Sequence, residues 1–408
     1  MEFTKKIAII GGGAAGMMAA GTALLYGADV TLYEHMPILG KKLGITGKGR
    51  CNVTNNCTVW EFLENVTRNP RFMYSALDAL SPYDTIKFFE GLGVELKTER
   101  GNRVYPADDK AKTIVDALRR YSSGAQVINE KVKQLRKDPD GGFIINGSET
   151  RYDAVILATG GKSYPLTGSD GSGYRLVTKL GHTVTELVPS LIPLTSSSEL
   201  CSRMQGLSLK NVAIRVCNAD GKELYNDFGE MMFAHFGVTG PIILSASARL
   251  RGIDISSLVL YIDLKPALDE RTLDQRLLND FRINSNKDFI NALGGLLPLK
   301  MIEPFVEVTG IDPRRKVNSI TKDERKTIVK ALKSFKIPID GVRPIEEAII
   351  TSGGISVKEI NPKTMESKLV DGLYFAGEVI DVDAYTGGFN LQIAFSTGYL
   401  AGKSAAEY

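Results

Sequence analysis

Three glycines near the start of the sequence have the spacing that dinucleotide-binding turns use. The pattern Gly11-x-Gly13-x-x-Gly16 directly follows an apolar run at residues 7–10. In such a pattern the first glycine makes the tight turn, the second lets the backbone approach a pyrophosphate, and the third allows close helix packing. The pattern therefore predicts phosphate binding at a helix N-terminus, whose free N–H groups and dipole favour an anion.

The sequence around these glycines predicts a strand–helix–strand unit. Residues 14–26 are rich in Ala, Met and Leu, which favour a helix, and Gly27 ends it. Residues 28–33 predict a second buried strand that leads to Glu34, where a carboxylate would meet a ribose diol. A glycine-rich turn that binds nothing is the alternative, and the pattern alone leaves both NAD and FAD open.

Composition excludes several other classes of protein. The 408 residues are 43% hydrophobic and 24% charged, which is typical of a globular protein with two or three domains. No apolar run reaches the roughly 18 residues that a bilayer requires, and no segment precedes the first strand that could serve as a signal peptide. We therefore expect a cytoplasmic protein. Its four cysteines and three histidines form no CxxC or HxxxH pair, so we expect neither a metal site nor a disulfide framework.

A second glycine-rich stretch, residues 37–56, carries four glycines and four basic residues. It is not a P-loop, because Lys48 is followed by Gly49 rather than by Ser or Thr. A mobile surface loop is one interpretation. We predict a cofactor loop instead, because glycine lets the backbone approach a flat ring system. The residues predicted to contact the cofactor here are Lys42, Gly49, Arg50, Cys51 and Asn52.

The remaining sequence predicts a nucleotide-binding domain interrupted by an insert. Residues 58–122 are mostly helical in pattern, residues 126–146 predict a small antiparallel meander, and residues 152–158 predict a buried strand ending in Thr159 and Gly160. Ligands of parallel sheets lie at such strand ends. The predicted segments are residues 1–189 (first part of the domain), 190–344 (insert, β-structure to about 264 and helical from about 265) and 345–408 (second part).

Five motifs together resemble the BaiN/YhiN-type flavoproteins, which are relatives of the glutathione-reductase-like FAD enzymes. They are GGGAAG with Glu34, GKKLGITGKGRCNVTN, ATGGKSYP, TSGGIS and LYFAGEVIDVDAYTGGFNLQIAFSTG. The resemblance covers the whole chain. It implies an α/β fold with a Rossmann-like FAD-binding domain of the GR2 type, containing an antiparallel meander and built from both chain ends. The insert would be β-barrel-like with a helical part.

The resemblance also implies where FAD is held. The N-terminal glycines would take the pyrophosphate, Glu34 the adenosine ribose, and Glu378 and Asp381 the region of the ribityl chain. The last helix would point its N-terminus at the N1–C2 edge of the flavin, where the dipole stabilises the anionic reduced ring. The remaining implied contacts are Gly11, Gly13, Ala14, Ala15, Gly16, Thr159, Gly160, Gly377, Gly388, Phe389, Asn390 and Leu391.

A second nucleotide fingerprint is not evident in the sequence. Glutathione-reductase-like enzymes bind NAD(P)H in a separate domain with its own glycine motif. The nearest candidate here, GSDGSG at residues 168–173, has the wrong spacing and follows no predicted strand. We therefore expect NAD(P)H to bind at most transiently over the flavin, and another reductant stays open.

These features favour an FAD-dependent oxidoreductase that passes a hydride from reduced FAD to an electron-poor C=C bond, with a nearby acid protonating the adjacent carbon. The resembling family is linked to enones of steroid-like substrates and to uridine in ribosomal RNA, so the expected partner is a small molecule or ribosomal RNA. The alternatives are a ribosomal RNA uridine reductase that forms dihydrouridine, a non-enzymatic redox sensor or RNA-binding scaffold, and a peroxide-forming oxidase. The sequence predicts no oligomeric state.

Cys51 is the predicted proton donor. Lys48 and Arg50 flank it, and their charges would lower the pKa of its thiol. The alternative is a small buried packing residue. The other candidate donors are Tyr105, Tyr164, Tyr385 and His235.

Basic residues are concentrated in the insert. Residues 313–336 contain nine basic residues and two acids, a net charge of +7 within a chain of +3. On a helix beginning at Lys322, the side chains of Lys322, Lys326, Lys330 and Lys333 would share one face. A solvated surface helix and an RNA-binding surface are the two interpretations.

Overall fold

The computed structural model describes residues 4–407. Contacts divide them into two compact units: residues up to Ser190 and from Pro344 onward form unit 1, and Leu191–Arg343 form unit 2. Each unit has its own hydrophobic core.

The elements follow one another in this order. The strands are β1 (Lys6–Ile10), β2 (Asp29–Tyr33), β3 (Thr54–Asn55), β4 (Val66–Arg68), β5 (Leu96–Glu99), β6 (Arg103–Pro106), β7 (Gln126–Ile128), β8 (Leu135–Lys137), β9 (Phe143–Ile145), β10 (Arg151–Tyr152), β11 (Ala154–Leu157), β12 (Val188–Ser190), β13 (Leu194–Thr195), β14 (Ser208–Cys217), β15 (Glu223–Ala234), β16 (Gly237–Thr239), β17 (Leu258–Asp263), β18 (Phe335–Ile339), β19 (Gly341–Val342), β20 (Ile350–Ser352), β21 (Leu373–Phe375) and β22 (Asp383–Ala384). The helices are α1 (Ala14–Leu25), α2 (Val59–Glu64), α3 (Tyr74–Ala79), α4 (Pro82–Gly91), α5 (Ala111–Tyr121), α6 (Ser172–Thr178), α7 (Glu199–Arg203), α8 (Pro241–Ala248), α9 (Glu270–Ile283), α10 (Phe289–Ala292), α11 (Leu299–Thr309), α12 (Lys322–Lys333) and α13 (Phe389–Glu407).

A five-stranded parallel sheet forms the centre of unit 1, in the order β21–β11–β1–β2–β7. The central strand β1 is buried from Ile7 to Ile10, and β11 is buried throughout. Continuous burial of this kind is typical of parallel strands that are covered on both faces. The sheet therefore has the Rossmann-like organisation that the sequence predicts.

The predicted meander is wrong at its first strand. Residues 126–128 form β7, which pairs in parallel with β2 at the edge of the central sheet. The antiparallel meander consists of β8, β9 and β10. The strand predicted at 152–158 is also divided at Asp153, because Tyr152 pairs within the meander whereas Ala154 begins β11.

The first and last helices of unit 1 are in close contact. A Cβ built on Gly398 or Gly402 of α13 would lie within 3.0 Å of backbone atoms of Ala15 or Ala19 of α1. These glycines allow the two helix backbones to approach more closely than side chains would permit. The two ends of the sequence are thereby joined into one core.

Unit 2 is built on a seven-stranded antiparallel sheet, in the order β18–β17–β14–β15–β16–β13–β19. Alternating burial along β17 and β18 shows a sheet with one face on the core. Within residues 4–407 its two edge strands, β18 and β19, do not pair with each other, so the sheet is open. Helices α9, α11 and α12 contribute Leu277, Phe305 and Leu332 to the same core.

None of the helices within residues 4–407 combines the length and apolar character that spanning a membrane requires.

Candidate active site

The three N-terminal glycines have three different surroundings. Gly11 has a φ of +108°, which glycine adopts without strain. A Cβ on Gly16 would collide with the carbonyl of Gly11, so this glycine permits the close approach of α1 to the turn. In contrast, a Cβ on Gly13 would meet nothing within 4 Å. The N-cap of α1 is Gly13, which makes no side-chain cap hydrogen bond, and a helix N-terminus of this kind suits a pyrophosphate.

Glu34 lies at the carboxyl end of β2, next to this turn. Its Oε2 accepts a hydrogen bond from the Gly12 N–H at 2.9 Å, and its Oε1 accepts one from the Met36 N–H at 2.7 Å. Each carboxylate oxygen can accept two hydrogen bonds, so both retain capacity for ribose hydroxyls. The side chain is only 11% exposed, which indicates a position fixed before any ligand binds.

Unsatisfied hydroxyls surround the glycine turn that follows β11. The buried hydroxyl groups of Thr159, Ser169 and Tyr174 have no hydrogen-bond partner among the described residues. Burial, together with the nearby carboxylates of Glu378 and Asp381, raises the pKa of the Tyr174 hydroxyl far above its usual range. Buried polar groups are normally paired, so an orphaned cluster beside Gly160 fits a site with hydrogen bonds left for a ligand.

Lys42 and Glu378 form an ion pair that joins distant parts of the sequence. The Lys42 Nζ donates to Glu378 Oε2 at 2.7 Å and to Ser163 Oγ at 2.8 Å. Glu378 Oε1 in turn accepts from the Thr351 N–H at 2.9 Å. The sequence indicated Lys42 and Glu378 separately but missed their pairing and the roles of Ser163 and Thr351. The motifs ATGGKS and TSGGIS contain both missed residues.

The second glycine junction, at Gly387 and Gly388, precedes α13. Gly388 has a φ of +97°, and its Cβ position is occupied by the backbone of Thr54. The Asn52 amide, in the orientation that its neighbours require, accepts from the Gly388 N–H at 2.9 Å. The Asn390 amide bonds both backbone groups of Ala384.

Four of the predicted cofactor contacts have hydrogen-bond or packing partners within the protein. Asn52 and Asn390 hold backbone segments, and Phe389 packs edge-on against Phe62 with ring centroids 5.3 Å apart. Leu391 packs against the core. Sequence reasoning missed the adjacent buried network in which Gln392 bonds Thr54, Thr85, Ser396 and Leu80.

The predicted activation of Cys51 by basic neighbours is wrong. Burial raises the pKa of its fully buried thiol to about 12, which a hydrogen bond with Thr46 opposes only in part. The Arg50 guanidinium is paired instead with Glu99 and Asp109, each at 2.5 Å, and lies 4.2 Å from the Tyr105 ring centroid. Cys51 belongs to an apolar cluster, as the packing alternative expects. Gly49 and Lys48 are exposed.

The other candidate donors occupy varied positions. Tyr105 is buried beneath Arg50, and Tyr164 is 38% exposed with a φ of +52°. Tyr385 is half-buried on the segment that leads to α13. His235 belongs to unit 2, where its ring contacts Phe236 edge-on.

Two buried acids on one short segment differ in their pairing. Asp381 forms a two-pronged ion pair with Arg68, in which Nη2 and Oδ2 are 2.6 Å apart. Asp383, on β22, accepts from the Thr67 hydroxyl through Oδ1. Its Oδ2 is buried without a hydrogen-bond partner among the described residues. Burial raises the pKa of the carboxyl, and the Ser352 and Thr67 hydroxyls oppose that shift only in part. The sequence analysis overlooked Asp383, although the motif IDVDA places it two residues after Asp381.

Two of the four lysines predicted to share one face of helix α12 have acidic partners. Lys333 pairs with Asp263 at 2.6 Å and donates to two backbone carbonyls, and Lys326 pairs with Asp323 at 3.1 Å. Arg325 forms a further ion pair with Asp274. Among residues 4–407, no acid pairs with Lys322 or Lys330. Across the same described residues, no cluster of three or more His, Cys, Asp or Glu could hold a metal ion.

Comparison with known proteins assigns this site to a family. The family model described as "HI0933-like protein Rossmann domain" matches residues 5–404. The chain is 30% identical to the 3-dehydro-bile acid delta(4,6)-reductase of Clostridium scindens, over 98% of this chain and 99% of the relative. It is also 30% identical to the ribosomal RNA dihydrouridine synthase of Haemophilus influenzae, over 100% and 99% of the two chains.

A solved structure shows the same fold at low identity. The 3-ketosteroid-delta4-(5alpha)-dehydrogenase of Rhodococcus jostii superposes with a TM-score of 0.52 at 16% identity, covering 100% of this chain and 98% of that one. At this identity the likeness concerns the fold alone. On the family match and the full-length relatives, the chain belongs to the HI0933-like Rossmann-domain family of FAD-dependent oxidoreductases.

Proposed function

We propose that the protein is a reductase that adds hydrogen across the C=C bond of an α,β-unsaturated carbonyl compound. The observation that carries the proposal is the buried carboxyl of Asp383, on the segment leading to the second glycine junction, whose Oδ2 has no hydrogen-bond partner among the described residues. The two relatives named above supply the substrate class, because a bile-acid enone and uridine both contain a C=C bond conjugated to a carbonyl.

The residues around the first junction would hold FAD. The α1 N-terminus would bind the pyrophosphate, Glu34 the adenosine ribose, and the hydroxyl of Thr159 would find the partner that it lacks in the protein. The α13 N-terminus would supply a positive dipole end. When bound, FAD supplies the hydride.

Asp383 would supply the proton. Reduction of such a bond requires a hydride at the β-carbon and a proton at the α-carbon. Burial raises the pKa of this carboxyl even though hydrogen bonds from Ser352 and Thr67 oppose the shift, so it stays protonated closer to neutral pH. Among the described residues, Oδ2 has no hydrogen-bond partner. The ion pair of Arg68 with Asp381 and the Thr67 hydroxyl hold the segment in place. Water would then return the proton to Asp383.

NAD(P)H is the proposed reductant, bound only transiently. The segment at residues 168–173 follows a single helical turn instead of a strand, and its Gly171 N–H donates to the Gly161 carbonyl at 3.1 Å. We therefore infer that this segment is part of the structure of unit 1 and does not bind a second nucleotide. Anaerobic mixing with NADH and with NADPH, followed by flavin absorbance, tests this step.

Asp383→Asn tests the proton donor. With the reduced enzyme and a 4-en-3-one steroid under anaerobic conditions, we expect the variant to reoxidise the flavin about 100-fold or more slowly. FAD affinity and the oxidised spectrum should match wild type, and the solvent isotope effect of the remaining reaction should change. Asp381→Asn is the comparison variant, because it breaks the ion pair with Arg68 and should disturb stability as well.

Two outcomes would contradict the proposal. Full activity of Asp383→Asn would exclude Asp383 as the donor. Reduced flavin that neither an enone nor uridine reoxidises, but that oxygen reoxidises rapidly, would favour an oxidase.

Reduction of uridine in ribosomal RNA is the second candidate function. Two relatives are named ribosomal RNA dihydrouridine synthases, at 30% and 29% identity over 100% and 96% of this chain. The chemistry is the same addition of a hydride and a proton, and only the size of the substrate differs. Nucleoside mass spectrometry of ribosomal RNA from cells with and without the gene would detect the missing dihydrouridine.

A further inference from the structure

Unit 1 contains a basic cavity that none of the predicted cofactor contacts lines. Its volume is about 130 Å³, and its lining includes Lys131, Lys133, Arg175 and Lys179. Small-molecule sites usually measure roughly 300 to 1,000 Å³, so this cavity suits an ion-sized group rather than an organic cofactor.

The four basic residues converge from two segments. Lys131 and Lys133 lie on the segment just before β8, and both line the cavity. Arg175 on α6 and Lys179 directly after this helix are four residues apart, which brings two like charges to the same helix face. Such a pair repels, and an anion in the cavity would relieve the repulsion.

Few acids offset these charges. Asp170 forms an ion pair with Lys131. Burial alone would raise the pKa of the Asp170 carboxyl, but hydrogen bonds from Lys131 and Ser172 outweigh it and lower this pKa to about 2. Glu130 accepts instead from the Asn146 side chain at 2.6 Å. Among residues 4–407, no acid forms an ion pair with Lys133, Arg175 or Lys179.

We propose that this cavity, the phosphate cleft (Lys131, Lys133, Arg175 and Lys179), binds a phosphate of an RNA strand. The proposal rests on the RNA-directed form of the proposed function. An RNA-binding surface was one of two interpretations of helix α12, where Lys326 and Lys333 have acidic partners. Lys133, Arg175 and Lys179 of the phosphate cleft have no acidic partner within residues 4–407, and they line a space of about 130 Å³. Neutralising phosphates with such cations releases counterions and makes binding salt-dependent.

The test compares two double variants with equal change in charge. Lys133→Glu/Arg175→Glu alters the phosphate cleft, and Lys322→Glu/Lys330→Glu alters the unpaired lysines of α12. The probe is a fluorescently labelled ribosomal RNA hairpin with a uridine-containing loop, titrated by anisotropy between 50 and 200 mM salt. We expect the cleft variant to bind at least tenfold more weakly, and its log–log salt slope to fall by about 1.4, or roughly 0.7 per lost contact.

The matched variant and the flavin provide the controls. Lys322→Glu/Lys330→Glu should keep the wild-type slope, and both variants should keep full FAD content and reduction of the 4-en-3-one steroid. Lys133→Gln/Arg175→Gln tests the same contacts if charge reversal prevents folding.

Several outcomes would overturn the phosphate cleft. The affinity for the hairpin could fall equally in both double variants, or fall only in the α12 variant. The wild-type protein could also bind inorganic phosphate but not the hairpin. Continued reduction of the steroid in any of these cases would leave the proposed reductase intact. Loss of steroid reduction by wild type, with RNA binding retained, would contradict the reductase and not the cleft.

Discussion

Unit 1 contains two strand–glycine–helix junctions, one before α1 and one before α13. At the first, a Cβ on Gly13 would enter space with no atom within 4 Å. At the second, a Cβ on Gly388 would collide with the backbone of Thr54. The first glycine thus leaves room for a ligand, whereas the second leaves room for the protein's own chain. The same residue type therefore predicts opposite consequences of mutation at the two sites.

Gly13→Glu should have the largest effect, and it should be confined to the cofactor. The new carboxylate would occupy and repel the pyrophosphate position, so we expect FAD affinity to fall by more than 100-fold. Because the Cβ position is open, the thermal midpoint of the FAD-free protein should stay within a few degrees of wild type. FAD titration and thermal melting measure the two quantities. A yellow Gly13→Glu protein would contradict the assignment of the first junction.

Gly388→Ala should instead destabilise the fold itself. Alanine at a φ of +97°, pressed against Thr54, should lower the free energy of unfolding by about 3 kcal/mol. Urea denaturation of the FAD-free protein measures this loss. Gly44→Ala is the matched control, because its Cβ would meet nothing within 4 Å. Equal stability of the two variants would remove the contrast between the junctions.

Glu34→Ala should lower the FAD affinity of the first junction, but less than Gly13→Glu does. The ribose would lose a charged acceptor, so we expect FAD to bind about ten- to 100-fold more weakly in a protein that still folds. Glu34→Gln should keep more affinity, since its amide oxygen can accept one of the two backbone hydrogen bonds. Unchanged affinity in Glu34→Ala would place the ribose elsewhere.

The smallest expected effect concerns Cys51, in the loop whose Asn52 accepts a hydrogen bond from the Gly388 N–H at the second junction. With the pKa of its thiol at about 12, the thiolate fraction at pH 8 is about 10⁻⁴, so iodoacetamide should not label Cys51 in the native protein. Labelling should appear after denaturation in urea, and mass spectrometry of the Cys51 peptide reports both. Rapid native labelling would show that the loop opens readily.

The sequence predicted those features that depend only on residues close together in the chain. The turn at Gly11, the helix that follows it and the acid at Glu34 lie within one short stretch, and their roles depend on spacing alone. The parallel pairing of β7 could not be read from Gln126–Ile128, because three residues do not reveal which strand they will join. The meander prediction failed there for that reason.

Side-chain environments were less predictable, because they depend on residues far apart in the sequence. Arg50 follows Lys48 in a basic loop, yet Glu99 and Asp109 neutralise it from other elements. The pKa of Cys51 rises because distant apolar residues bury it. Lys42 meets Glu378 across 336 positions, and Asp383 became a candidate only once its unpaired oxygen was visible.

The close packing of α13 on α1, which Gly398 and Gly402 of α13 allow, also constrains how the protein is made. β1 and α1 leave the ribosome first, but β21 and α13 follow only after the whole of unit 2 has been translated. At about 5–20 residues per second, unit 2 takes on the order of 10 s to synthesise. During that interval α1 lacks the helix that buries one of its faces. Unit 2, contiguous in sequence, can complete its core while the nascent cofactor domain is still waiting for its last helix.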